Sequence, residues 1–167
     1  MIYDQFTQFA KTLHNLSQLL DKGAKYAEAK KFGPEVLLDA RLAPDMFPLT
    51  RQVQIACDTM KFGVSRLTGK DAPTFDDNEK TIPDLKARIE KTLGYFQSVK
   101  EADFKGWEER KVTTPRWEGK WLTGKDYFNQ HVVPNVYFHV TTAYAILRHN
   151  GVEVGKKDYL GELPYKH

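Results

Sequence analysis

The chain has 167 residues, 41% of them hydrophobic and 13% aromatic, which is typical of one globular domain and excludes a disordered chain. Its 25 basic and 22 acidic residues are interleaved, so the net charge is only +3 and no strongly basic surface indicates nucleic-acid binding. The single cysteine, the lack of a signal-peptide pattern and the lack of any long apolar run predict a cytoplasmic, single-domain protein over residues 1–167, with no membrane partner.

The first predicted helix begins near the N-terminus and ends near Gly23. Its apolar residues recur every three or four positions, as expected for a helix that buries one face: Ile2, Phe6, Phe9, Leu13, Leu16 and Leu20. The next stretch, "KFGPEVLLDARLAPDMFP", contains three prolines and predicts a long connection with one short turn after Pro34.

The second predicted helix follows Pro48 and ends at "TGKDAP". It has a main apolar face and a second one at Ile55 and Phe62, a pattern typical of a central helix or of a subunit interface. The third begins at "TIPDL", where Thr81 is the expected N-cap and Asp84 lies three residues later.

The segment "WEERKVTTPRWEGKW" predicts a small β-hairpin, because Trp117, Gly119 and Trp121 alternate and "TTPR" suits a turn. The fourth predicted helix runs from about Thr123 to Asn150, bent or interrupted near Pro134, with Gly151 as the residue that ends it. The tail after Gly151 is expected to be irregular. These elements predict an all-α four-helix bundle with a long first connection.

Two stretches carry a family resemblance: "PDMFPLTRQVQIACDTMKFGVSRLTGK" and "PRWEGKWLTGKDYFNQHVVPNVYFHVTTAYAILRHNGVEVGKKDYLG". They resemble the bacterial domain-of-unknown-function family DUF1993, a branch of the DinB/YfiT-like group. The resemblance implies a four-helix bundle that commonly pairs as a homodimer. It also implies a divalent metal held by three histidines, one from the second helix and two, four residues apart, from the last helix.

The resemblance places those three metal-ligand positions at Ile55, Asn135 and His139, so this chain keeps one histidine of the three. We therefore expect no metal cofactor, with His139 as the one candidate ligand; a mixed site would have to add Asp45, Asp58 or Asn135. His131 joins His139 on one helix face only if the helix continues through Pro134. Of the other histidines, His14 is expected in solvent, His149 suits a helix C-terminus, and His167 is the last residue.

Asn135 and His139 lie one helical turn apart at the edge of the apolar face. Two interpretations stay open: a buried histidine satisfied by local partners, or the polar wall of a small-molecule pocket. Trp117 and Trp121, expected on one face of the hairpin, either cap that pocket or pack on the bundle. The expected ligand-binding residues are His139, Asn135, Trp117, Trp121, Arg41, Asp45 and Gln52.

Three functions remain open at this point. The chain is expected to be a metal-poor domain that binds a small molecule between its helices. The alternatives are a metal-dependent thiol or small-molecule transferase, and a structural, stress-associated homodimer whose interface includes Ile55 and Phe62. Cys57, in the middle of an apolar helix, is expected to be a packed and unreactive thiol.

Overall fold

The computed structural model describes residues 1–166, so His167 lies outside the described residues. Four long helices dominate it: α1 (Ile2–Lys30), α3 (Leu49–Thr68), α4 (Ile82–Gln97) and α6 (Val133–His149). Each of them packs against two neighbours, in the order α1, α4, α3, α6 and back to α1. The predicted four-helix bundle is therefore confirmed. Within residues 1–166, no helix is both long and apolar enough to cross a membrane.

Helix α1 is longer than predicted and continues seven residues past Gly23, to Lys30. A Cβ atom at Gly23 would lie 3.2 Å from the side chain of Leu147, so this glycine permits a close approach of α1 to α6. The prediction that α1 ends near Gly23 was wrong because a glycine at a helix–helix contact resembles a helix stop in the sequence.

The long connection between α1 and α3 contains the short helix α2 (Glu35–Asp39), which confirms the predicted turn after Pro34. Leu37 and Leu38 of α2 are buried against the bundle. The connection therefore contributes to the core through α2.

Helix α3 begins after Pro48 and ends at Gly69, whose φ of +78° suits glycine. The N-terminus of α4 has the predicted capping box: Asp84 N donates to Thr81 Oγ1 at 3.2 Å, and Thr81 N donates to Asp84 Oδ2 at 2.9 Å. Both boundaries follow from local sequence, as predicted.

A small antiparallel hairpin precedes the last helix, as predicted, with strands β1 (Lys111–Val112) and β2 (Leu122–Thr123). The predicted strand through Trp117 and Trp121 was wrong. Trp117 ends a 3-10 turn, and Glu118 and Gly119 have φ values of +50° and +85°, which no strand accommodates. The alternation of tryptophan and glycine thus marks the loop of the hairpin.

The last helix does not stop at Pro134, but its α-helical pattern is interrupted just before this residue, as predicted. Helix α5 (Gly124–Tyr127) passes through a π-helical turn (Phe128–Val132) into α6. The wider turn lies just before Pro134, which has no backbone N–H to donate and would clash with a regular preceding turn. As predicted, Gly151 follows the end of α6 with a φ of +92°.

The prediction of an irregular tail was wrong in part, because the tail contains the short helix α7 (Lys156–Leu160). Asn15 Nδ2 of α1 donates to the carbonyl oxygen of Tyr159 at 3.0 Å, and Lys22 Nζ lies 2.7 Å from Asp158 Oδ1. The contact with α1 therefore orders this part of the tail.

Candidate functional site

His139 is buried between α6 and α3, with 7% of its surface exposed, and is hydrogen-bonded to Gln52. Gln52 Nε2 donates to the carbonyl oxygen of Phe47 at 2.9 Å, so its Oε1 is left to accept from His139 Nδ1 at 2.7 Å. Burial, and then the positive charge of Arg51, lower the pKa of His139 to about 4. The imidazole is therefore neutral at pH 7 and ties α6 to α3.

Asn135 lies one turn earlier on α6 and makes a second polar link to α3. Its Nδ2 donates to Thr59 Oγ1 at 2.7 Å, while Thr59 Oγ1 donates to the carbonyl oxygen of Ile55 at 2.7 Å. The polar strip predicted from the spacing of Asn135 and His139 thus meets α3 along its length.

The metal-ligand set implied by the resemblance is not assembled here. Ile55 offers no ligand, and Asn135 offers an amide in place of an imidazole. Among residues 1–166, no group of three or more His, Cys, Asp or Glu side chains lies close enough together to hold a metal ion. The side chains present do not fit a three-histidine metal site, because structural and catalytic zinc sites need at least three protein ligands.

A cleft of about 360 Å³, here called the hairpin cleft, opens beside this polar strip. The last helix supplies Tyr127, His131 and Asn135, and the hairpin loop supplies residues 114–117. The opposite wall is formed by α3, with Arg51, Ile55, Asp58, Thr59, Phe62 and Arg66. Tyr127, His131 and Asn135 follow one another at intervals of four positions, so they share one face of the last helix.

Three aromatic rings form one wall of the hairpin cleft. The Tyr127 and His131 rings are stacked, with centroids 5.3 Å apart and planes 22° apart. Trp117 stands edge-on to both, at 6.0 Å from Tyr127 and 6.1 Å from His131. Burial lowers the pKa of His131, and Arg66 adds to this effect, so its imidazole is neutral at pH 7.

Arg66 lies against this aromatic wall. Its Nη1 donates to the phenol oxygen of Tyr127 at 2.9 Å, and its guanidinium carbon lies 4.9 Å from the ring centre of Phe62 and 5.6 Å from that of Tyr127. Burial raises the pKa of Tyr127, although the charge of Arg66 opposes the shift. Within residues 1–166, Arg66 has no carboxylate partner.

The predicted ligand-binding residues do not all gather at one place. Trp117 and Asn135 line the hairpin cleft, whereas His139 and Gln52 form the adjacent buried pair. Trp121 is 51% exposed, and Lys111 Nζ lies 5.2 Å from the centre of its ring. The prediction that Trp121 shares a face with Trp117 was therefore wrong.

Arg41 and Asp45 are exposed on the connection between α1 and α3, and neither lines the hairpin cleft. Sequence reasoning missed Arg66, Tyr127 and His131. For Tyr127 and His131 a signal was present in their four-residue spacing to Asn135 and His139, but His131 was placed on the face of His139 only if the helix continued through Pro134. Cys57 is buried as predicted, and burial raises the pKa of its thiol to about 12.

Comparison with known proteins agrees with this fold. The family model "Domain of unknown function (DUF1993)" matches residues 2–160. The chain is also similar to a DinB family member protein from Shewanella denitrificans, whose crystal structure at 1.83 Å resolution superposes with a TM-score of 0.96. The two share 54% identity over 100% of this chain and 96% of the other. No curated protein matches significantly. The chain therefore belongs to the DUF1993 family and has the fold of a DinB family member.

Proposed function

We propose that this chain is a small-molecule-binding protein whose ligand lies in the hairpin cleft. The observation that carries the proposal is Arg66, a cation fixed by Tyr127 and Phe62 with no carboxylate partner in residues 1–166. A cation positioned in this way favours a ligand that supplies the missing interaction.

The size and lining of the hairpin cleft support the proposal. Its volume of about 360 Å³ is at the lower end of the range of about 300–1,000 Å³ found for small-molecule sites. The aromatic rings of Trp117, Tyr127 and His131 provide contact area, while Asn135 and Thr59 provide polar groups on the walls. A mostly apolar site with a few fixed polar groups is typical of ligand recognition.

We propose a binding role that does not depend on a metal. A metal-dependent transferase would need further ligands beside His139, and its Nδ1 is already engaged by Gln52. Asp58 is engaged as well, at 2.8 Å from Arg88 Nη2 and 3.1 Å from Lys61 Nζ. Since these donors are committed to other contacts, no reaction step is assigned to a metal.

A thermal-shift screen with small neutral, cationic and anionic compounds tests the binding proposal. Compounds that bind in the hairpin cleft should raise the melting temperature of the wild type but not that of Trp117→Ala. Trp121→Ala is the matched control, because Trp121 is exposed outside the cleft, and it should respond like the wild type. Binders that stabilise Trp117→Ala fully, or no binder in any charge class, would contradict the proposal.

A homodimer is a second proposal, favoured by two exposed aromatic rings. Phe62 is 36% exposed at the hairpin cleft, and Phe138 is 56% exposed beside a shallow depression that also contains His131 and Asn135. A second copy packed on this face would bury both rings. Sedimentation velocity should show a dimer for the wild type and a monomer for Phe138→Asp; a monomeric wild type would contradict this proposal.

A further inference from the structure

The hairpin cleft has more positive charge than its own carboxylate neutralises. Three arginines line it, at positions 51, 66 and 116, against the single carboxylate of Asp58. Arg51 is neutralised by Asp77, whose Oδ2 lies 2.6 Å from its Nη1. Asp58 is occupied by Lys61 and Arg88, as described above. The positive charges left without an ion pair among residues 1–166 are those of Arg66 and Arg116.

Of these two cations, Arg66 is the one held in place. Its side chain is partly buried, is hydrogen-bonded to Tyr127 and lies over two aromatic rings, whereas Arg116 is exposed on the hairpin loop. The Arg66 side chain is already ordered before a ligand binds. Binding of an anion to Arg66 therefore costs less side-chain conformational entropy than binding to a mobile arginine. Its other N–H groups make no hydrogen bond to residues 1–166, so a planar fork of donors remains open.

The aromatic wall indicates the rest of the ligand. Tyr127 and His131 present stacked, nearly parallel rings, and Trp117 stands nearly perpendicular to them. A planar ring can meet such a wall in stacked or edge-to-face geometry, both of which are favourable between aromatic groups. His131 makes no hydrogen bond to residues 1–166, so the wall carries an unpaired imidazole beside Arg66.

We infer that the hairpin cleft binds a small aromatic carboxylate, with its carboxylate on the Arg66 guanidinium and its ring against Trp117, Tyr127 and His131. This inference rests on the proposed function, since it names the ligand class of the same site. A single negative charge matches the one fixed guanidinium of the hairpin cleft.

Isothermal titration calorimetry with benzoate, benzamide and inorganic phosphate tests the inference. Benzoate and benzamide have nearly the same shape, but only benzoate offers a charged acceptor to Arg66. We expect benzoate to bind about 10-fold or more tightly than benzamide, because a charge-assisted hydrogen bond is stronger than a neutral one. We expect phosphate, which has no ring, to bind more weakly than benzoate.

Two variants distinguish a specific contact between benzoate and Arg66 from an effect of the overall charge of the protein. Arg66→Gln should weaken benzoate binding about 10-fold or more. The control Arg41→Gln removes the same charge from an exposed position outside the hairpin cleft, and should leave benzoate affinity unchanged. Equal losses in the two variants would show a nonspecific charge effect and overturn the inference.

The titrations distinguish a wrong ligand class from a wrong assignment of the small-molecule site. Equal binding of benzoate and benzamide, both abolished by Trp117→Ala, would overturn the carboxylate and keep the small-molecule site. Phosphate that binds as tightly as benzoate would overturn the aromatic part of the inference. No binding of benzoate at about 10 mM would overturn the inference outright, and the thermal-shift screen would then decide the proposed function independently.

Discussion

Arg66 on α3 donates a hydrogen bond to the phenol oxygen of Tyr127 on α5, with 2.9 Å between Nη1 and the oxygen. The residues are 61 positions apart, and the contact joins the two walls of the hairpin cleft. It positions a guanidinium over an aromatic ring in a partly buried place, without a carboxylate partner in residues 1–166. The proposed ligand site is built around this pair.

The contact predicts the effect of Tyr127→Phe, which keeps the ring and removes the hydrogen-bond acceptor. We expect the free energy of unfolding to fall by about 1 kcal/mol, because Arg66 loses one hydrogen bond in a partly buried site. Urea denaturation measures this change. Tyr165→Phe, at an exposed position, is the control and should leave the free energy of unfolding unchanged.

Benzoate affinity should fall with Tyr127→Phe as well, since Arg66 is no longer held in one orientation. Full retention of both stability and affinity would show that the Arg66–Tyr127 hydrogen bond does not organise the hairpin cleft.

Much of the fold follows from apolar spacing in the sequence. Local signals, such as Thr81 with Asp84 and the glycine at position 151, also predicted helix ends correctly. The errors occurred where tertiary contacts override a local pattern. Gly23 permits the approach of α6 to α1, so a residue that resembles a helix stop lies inside α1.

The hairpin cleft was harder to predict than the fold. Asn135 and Trp117 were expected at the ligand site, and both line the cleft. Arg66 could not be assigned from sequence, because its partner Tyr127 comes from a distant helix and surface arginines are common. His131 could have been assigned had the last helix been treated as continuous.

The buried pair of His139 and Gln52 predicts a loss of stability in acid. The folded protein holds the pKa of His139 at about 4, below the ordinary value of 6.5, so the unfolded chain binds the proton more readily. The stability that the neutral imidazole contributes is complete above pH 6.5 and is lost as the pH falls toward 4. The loss over this window is roughly 3 kcal/mol.

Urea denaturation between pH 4.5 and 7.5 measures this dependence. His139→Gln should flatten the change in unfolding free energy over that range, even though the variant is less stable overall. His14→Gln is the control, because His14 is exposed, and it should keep the wild-type slope. An unchanged slope in His139→Gln would show that its proton is not linked to folding.

A buried arginine holds the connection between α3 and α4 against the bundle. Arg88 is 2% exposed and lies 2.8 Å from Asp58, 3.0 Å from Asp77 and 2.8 Å from Glu79. Arg88→Met should reduce the free energy of unfolding by about 3–5 kcal/mol, because it leaves the buried carboxylate of Glu79 without a counter-charge. Urea denaturation measures the change.

The control for Arg88→Met is Lys86→Met, two residues away on the same helix. Lys86 pairs with Asp21 at a more exposed place, where an ion pair contributes about 0–1 kcal/mol. Similar losses in the two variants would show that burial of Arg88 adds nothing to its ion pairs.

Replacement of two glycines by alanine should change the free energy of unfolding in opposite directions. Gly94, in the last turn of α4, has open space where a Cβ would lie, so Gly94→Ala should raise the free energy of unfolding by about 0.5–1 kcal/mol. A Cβ at Gly124, the first residue of α5, would overlap the carbonyl oxygen of Trp107, so Gly124→Ala should lower it by about 1–3 kcal/mol. Thermal denaturation measures both; a stable Gly124→Ala would contradict the close approach of the two segments.

The most direct test of the proposed ligand site is an NMR titration of ¹⁵N-labelled protein with benzoate. The account predicts saturable shifts of the Trp117 indole N–H and of the Asn135 side-chain amide, with the exposed Trp121 indole N–H unchanged. Saturable shifts confined to residues outside the hairpin cleft, or no shift of Trp117 and Asn135, would contradict the account.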